Sequence, residues 1–266
     1  MCIMSKLKRT KIKLLLENWP RGSVSTLKYL QTKGYSKDLI HKYVKSMWLE
    51  QVGRGAYKLN KDKINWSGGL YALQHHSKLD VHVGAKTVFQ LGGHAHYLSQ
   101  ELPEIFLFSS ARTKLPQWFR TYKWNVRISF FATNLFSNNY DEGLISFDVS
   151  SQYSIRISSQ ERAAIEMMHL LPKKQSFEEA ALLMEGLYYL RADLVQKLLE
   201  NCNSVKAKRL FMYYAEKYNF DWVKTLDLSK IDFGKGNREI VKGGTLNRKY
   251  QITVPKEINE DDEVLF

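Results

Sequence analysis

Apolar residues recur at helical spacing through the first fifty positions, with basic residues between them. Leu7, Ile12, Leu14, Leu15 and Leu16 predict a helix over 6–18. Asn18-Trp19-Pro20-Arg21-Gly22 breaks it, because Pro20 and Gly22 both punctuate helices. Ser23 or Ser25 can cap a short second helix over 26–32 that turns Leu27 and Leu30 inward, and Gly34 supplies a left-handed stop. Ser36 is a good N-cap for a third helix over 37–47. On that helix Leu39, Ile40, Tyr43, Val44 and Met47 share one face, and Lys37, His41, Lys42 and Lys45 share the other. Two β-type runs then flank Gly53-Arg54-Gly55, where glycine permits the positive φ of a hairpin turn. Helix, helix, basic helix and hairpin in that order predict a winged helix-turn-helix over 1–63.

Past residue 63 the period changes repeatedly. Residues 67–76 and 86–98 read as helices around a break at 80–84. Runs 104–108, 126–131 and 143–149 read as strands, with 153–157 the partner of the last. From Ser158 the pattern is helical: Ser158 and Glu161 have the spacing of a capping box, and helices are predicted over 160–171, 177–189, 192–200 and 205–218. Strand and turn signals return over 240–254, and the acidic stretch 257–263 is expected to fray. The predicted fold class is α+β. The winged helix precedes a larger mixed α/β domain over 64–266, sheet-rich over 64–157, mainly helical over 158–230, and strand-and-turn over 231–266.

Charge sharpens this division. Of the net charge of +13, residues 1–63 carry +11, from fifteen Lys and Arg against four Asp and Glu. A cationic field so concentrated attracts polyanions, chiefly nucleic acid. The second helix of a helix-turn-helix pair enters the major groove N-terminus first. Ser25, Thr26, Ser36, Lys37, His41, Lys42 and Lys45 are therefore the candidate DNA contacts, with Arg54 and Lys58 from the wing. Lys206, Lys208 and Arg209 on one predicted helix, with Arg238, Lys242, Arg248 and Lys249 further on, form a candidate second basic patch. One recognition helix covers few base pairs, so inverted half-sites and two copies on DNA fit the module. With only Cys2 and Cys202 present, no structural disulfide or cysteine-rich zinc site is expected, and a reducing cytoplasm fits best. No stretch approaches the length of a membrane span.

Several motifs resemble those of one family. Gly34-Tyr35-Ser36, Trp48-Leu49 and Val52-Gly53-Arg54-Gly55-Ala56-Tyr57 are similar to the N-terminal domain of the AbiEi antitoxins of type IV toxin–antitoxin systems. Leu79-Asp80-Val81-His82-Val83-Gly84-Ala85-Lys86-Thr87, Gly92-Gly93-His94-Ala95-His96-Tyr97-Leu98 and Ile157-Ser158-Ser159-Gln160-Glu161-Arg162-Ala163 extend the resemblance over most of the chain. It implies a regulator that represses its own operon at inverted repeats. It also implies a larger domain that counters a nucleotidyltransferase toxin without requiring a stable complex with it.

The residues offer little catalytic chemistry. His75, His76, His82, His94 and His96 cluster in sequence, but His94 and His96 stand two apart, on different faces of a helix. No metal or other cofactor is expected. A nucleotidyltransferase needs two metal-binding carboxylates on one strand face, and Gly68-Gly69 with Asp80-Val81-His82 has histidine where the second would stand. Gly234-Lys235-Gly236-Asn237-Arg238 lacks the flanking strand and helix of a phosphate loop and reads as a surface turn. Not an enzyme is the expectation. The competing reading is a nuclease or nucleotide-handling enzyme targeted by the winged helix, with Glu142, Asp148, Glu161 and Glu166 as metal ligands.

Overall fold

The computed structural model describes residues 10–92, 104–137 and 141–256. The chain forms two compact units: Met1–Leu79 with Lys114–Asn125 and Phe147–Ile155, and Asp80–Thr113 with Val126–Ser146 and Arg156–Phe266. In the first, the Thr10 hydroxyl accepts the Lys13 N–H and caps α1 (Lys11–Glu17). A two-residue strand, β1 (Ser25–Thr26), leads into α2 (Leu27–Thr32), and Gly34 stops it at φ 85°. Ser36 caps α3 (Lys37–Lys45) by accepting the Leu39 N–H. α3 ends two residues earlier than predicted because Met47 adopts φ 55°. The chain then enters β2 (Leu49–Gly53) and β3 (Ala56–Leu59), which pair antiparallel in a sheet ordered β1-β3-β2. Leu15, Trp19, Leu30, Ile40, Leu49, Tyr57 and Leu59 form one buried cluster, which fixes which side of α3 faces inward.

Next comes α4 (Trp66–Tyr71), capped by the Asn65 side chain, and it runs into a π-helical turn over Ala72–His76. The first unit therefore extends past residue 63, where the sequence divides the chain. Close packing is the reason. A Cβ on Gly68 would run into the Gly22 carbonyl, and one on Gly69 would meet the rings of Phe119 and Trp124.

Then follow β4 (Val81–Val83), α5 (Lys86–Leu91), β5 (Glu104–Ser110), α6 (Gln117–Thr121), β6 (Arg127–Thr133), β7 (Leu144–Ser150) and β8 (Tyr153–Ser158). The five strands order as β6-β5-β4-β8-β7, with β4 antiparallel to β5, and with β5–β6 and β4–β8 parallel. Two short elements escaped the sequence pattern. The central strand β4 occupies the predicted break at 80–84, and α6, which belongs to the first unit, is a single turn and a half. Trp118 of α6 stands against Gly53 at the base of the wing, where a Cβ would lie 2.7 Å from its own.

The helical part of the second unit is α7 (Gln160–Leu170), α8 (Phe177–Glu185), α9 (Ala192–Asn201) and α10 (Val205–Lys217). The N-cap of α7 is Ser159 rather than Ser158, because the Ser158 hydroxyl donates to Glu166 instead. Ala163, Ala164, Ile165, Met167 and Met168 of α7 are fully buried, and α10 packs on it with Leu210, Phe211, Met212 and Tyr214. A small hairpin of β9 (Thr245–Asn247) and β10 (Ile252–Val254) follows. The tail at 257–263 lies outside the described residues. The architecture is α+β, an N-terminal domain followed by a larger one. No helix among the described residues is long and apolar enough to cross a membrane.

Candidate nucleic-acid interface

Helix α3 separates its two faces cleanly. Ile40 is fully buried, and Tyr43 and Val44 pack beside it. Lys37, His41, Lys42 and Lys45 are all exposed. Ser36 is exposed at the N-terminus, its hydroxyl engaged in the cap. Arg54 is exposed in the β2–β3 turn, where Gly55 takes φ 76° with open space around it, so conformation alone calls for glycine there. These residues form the basic surface the sequence predicts on the third helix and the wing.

Three of the predicted contacts sit differently. Ser25 and Thr26 are buried, and the Thr26 hydroxyl accepts the Tyr29 N–H as the cap of α2. Both are structural where contacts were expected. Lys58 is largely covered: its ammonium lies 2.9 Å from Glu50 and donates to the Asp62 carbonyl. An ammonium with two partners inside the wing contributes to its shape before it meets any phosphate. Conversely, Lys28 on α2 is exposed beside the turn motif. Its position two residues after the cap was the available signal. Met47 and Trp48 are also exposed, at 72% and 48%, although Met47 was assigned to the apolar face.

The candidate second patch divides. Lys208 and Arg209 are buried. Arg209 donates to the carbonyls of Phe233, Gly234, Gly236 and Gln251 and so holds the loop 233–236 and the β10 approach. Lys206 donates to the carbonyls of His169 and Leu171. These three are therefore not a surface patch: backbone carbonyls hold Lys206 and Arg209, and Lys208 is buried. Arg238, Lys242, Arg248 and Lys249 are exposed, with Lys249 paired to Glu216 at 2.6 Å. The turn reading of Gly234-Lys235-Gly236 holds, with both glycines at positive φ.

The second unit also buries an ionic cluster. The Glu166 carboxylate lies 2.9 Å from His82 Nε2 and 3.1 Å from Arg162 Nε, and it accepts the Ser158 hydroxyl and the Ala85 N–H. Burial by itself would raise this carboxyl. His82, Arg162 and Ser158 together hold it below the usual carboxylate range. Glu161 is similarly tied to Arg191, at 3.0 Å, and Glu142 to Lys197. The cavity beside His82 and Glu166 has a volume of about 30 Å³, the space of one water. Of the clustered histidines, His75 and His76 lie in the π turn, His82 pairs with Glu166, and His94 and His96 lie outside the described residues. Among the described residues no three His, Cys, Asp or Glu are grouped to hold a metal ion.

Residues 8–100 match the family model described as the transcriptional regulator AbiEi antitoxin N-terminal domain. Residues 102–255 match the model described as transcriptional regulator, AbiEi antitoxin, type IV TA system. Among solved structures, the crystal structure of the RV2827C protein from Mycobacterium tuberculosis shares the fold. It has a TM-score of 0.60 at 13% identity, over 91% of this chain and 88% of that one. A search of curated proteins gives no match. With both models matched in sequence order, the chain belongs to the AbiEi antitoxin family, the transcriptional regulators of type IV toxin–antitoxin systems.

Proposed function

We propose that this chain binds double-stranded operator DNA through its winged helix and represses its own operon. In this reading α3 lies in the major groove with Ser36, Lys37, His41, Lys42 and Lys45 toward bases and phosphates. Arg54 reaches a minor groove or phosphate from the wing, and two copies occupy inverted repeats. The observation that supports it is the row of exposed cations on α3, opposite a face locked into the core by Ile40. The larger domain would counter a nucleotidyltransferase toxin in the cytoplasm, as the family description of an antitoxin suggests, and the reading assigns no reaction to the chain.

The test is binding to the DNA upstream of its own reading frame, followed by fluorescence anisotropy across salt concentrations. About five phosphate contacts give a log–log slope near −4 to −5. A slope near zero would refute the electrostatic part. For the antitoxin part, co-expression with a neighbouring nucleotidyltransferase should relieve its toxicity, and continued growth arrest would count against it.

A further inference from the structure

The first unit contains a cleft of about 440 Å³ between α1, α2 and the π turn. That volume falls within the range of small-molecule sites, whereas a packed domain core leaves voids of about one water. Trp19, Tyr29, Tyr35 and Tyr71 supply aromatic walls, and Lys33 and His76 supply nitrogen. Tyr29 stacks on His76 with ring centroids 3.7 Å apart, and Tyr71 meets the same histidine edge-on at 5.2 Å. Lys33 Nζ stands 5.4 Å from the Tyr29 ring centroid. No lining residue is acidic. His76 Nδ1 is buried with no hydrogen-bond partner among the described residues. Burial first, then His75, Lys78 and Lys33, push the His76 pKa down to about 4, so at neutral pH it presents an uncharged ring. Its backbone belongs to a π-helical turn, a geometry found often at functional sites.

These features describe a ligand: flat, to lie against the aromatic walls of the cleft, and anionic, to meet a lysine where no carboxylate competes. We propose that the cleft is an effector site for a planar aromatic carboxylate. The ring lies against Tyr29, Tyr71 and His76, the carboxylate is held by Lys33, and occupancy shifts the seating of α3. The coupling is physical. Leu15, Trp19 and Leu30 line the cleft and also belong to the buried cluster that holds Ile40 of α3, and Tyr35 lines it from the turn between α2 and α3. The ligand half stands on the cleft alone, while the regulatory half rests on the DNA-binding reading.

Calorimetry on the full chain with 2-naphthoate tests the first half, with the neutral 2-naphthylmethanol as comparator. Saturable submillimolar binding is expected, with the acid about tenfold tighter than the alcohol, as one charge-assisted contact gives. Lys33→Ala should abolish that preference, and because Lys33 is exposed just past the end of α2 the variant keeps its fold. Leu14→Trp, which fills the cleft, should abolish both. Absence of saturable binding, or an undiminished preference for the acid in Lys33→Ala, overturns the site. For the second half, operator affinity is measured with and without saturating 2-naphthoate, and a change of about threefold or more is expected. An unchanged affinity overturns the regulatory half. A chain that takes up 2-naphthoate but binds no operator DNA in its absence overturns the DNA reading and leaves the ligand site standing.

Discussion

Helices α3 and α10 carry similar runs of cations and use them in opposite ways. On α3, Lys37, Lys42 and Lys45 point to solvent while the other face supplies one buried residue, Ile40, to the core. On α10, Lys208 and Arg209 are buried, Lys206 is drawn onto two carbonyls, and nine consecutive residues from Ala207 to Ala215 lie inside. The difference lies in the surroundings more than in the helices. α3 is packed on one side only. α10 is enclosed, and the loops around it have carbonyls with no strand or helix to satisfy them, so a guanidinium does so. A buried cation with several acceptors is a structural fastener, and an exposed one with none is available to a polyanion.

Mutation can break this comparison, and the largest effect is expected on α10. Arg209→Ala leaves the carbonyls of Phe233, Gly234 and Gly236 without their donor and should lower unfolding free energy by about 3 kcal/mol, read by urea denaturation. Wild-type stability in that variant would remove the distinction. Next comes the double change Lys42→Ala with Arg54→Ala. It should weaken operator binding about 30-fold, or about 2 kcal/mol, flatten the salt slope by about two, and leave the urea midpoint in place. If affinity holds, the recognition surface is elsewhere.

A smaller effect sharpens the comparison through pH. Burial, and then Lys173, push Lys206 down to about 8 from an ordinary value of 10.5. The unfolded chain then binds more protons between pH 8 and 10.5, so this group's contribution to stability rises with pH across that window. The carbonyls of His169 and Leu171 hold its proton and partial exposure screens it, which limits the gain to about 1 kcal/mol. The parent minus Lys206→Met difference in urea melts at pH 8 and 10.5 measures it, and a difference that falls with pH would contradict the burial argument. The smallest effect is Arg248→Ala, on an exposed position, which should change stability by less than about 0.5 kcal/mol.

Much of the winged helix was legible because its signals are local. Ser36 caps α3, Gly34 stops α2, and the apolar side of α3 at Ile40, Tyr43 and Val44 follows from spacing along one helix. Thr26 and Lys58 were misread for a nonlocal reason. Thr26 has the residue type of a phosphate contact and also that of a cap, and burial beside the strand pair selects the cap. Lys58 was expected to reach DNA from the wing, but Glu50 on the neighbouring strand claims it. Strand β4 was invisible for another reason: three residues are too few to show a period, and its place is fixed by β5 and β8 on either side.

By itself, then, the sequence determined the order of helices and wing, the concentration of charge in 1–63, and the split of α3 into a core face and a basic face. Those properties depend on residue types a few positions apart, and a single helix or hairpin expresses them. Tertiary structure alone decided which cations are available, where the first compact unit ends, and that Glu166 is buried among His82, Arg162 and Ser158. It also left the aromatic cleft behind the helix-turn-helix. Each of these depends on which distant carbonyls, carboxylates and rings the fold brings within hydrogen-bonding or van der Waals range, and spacing along the chain does not encode that.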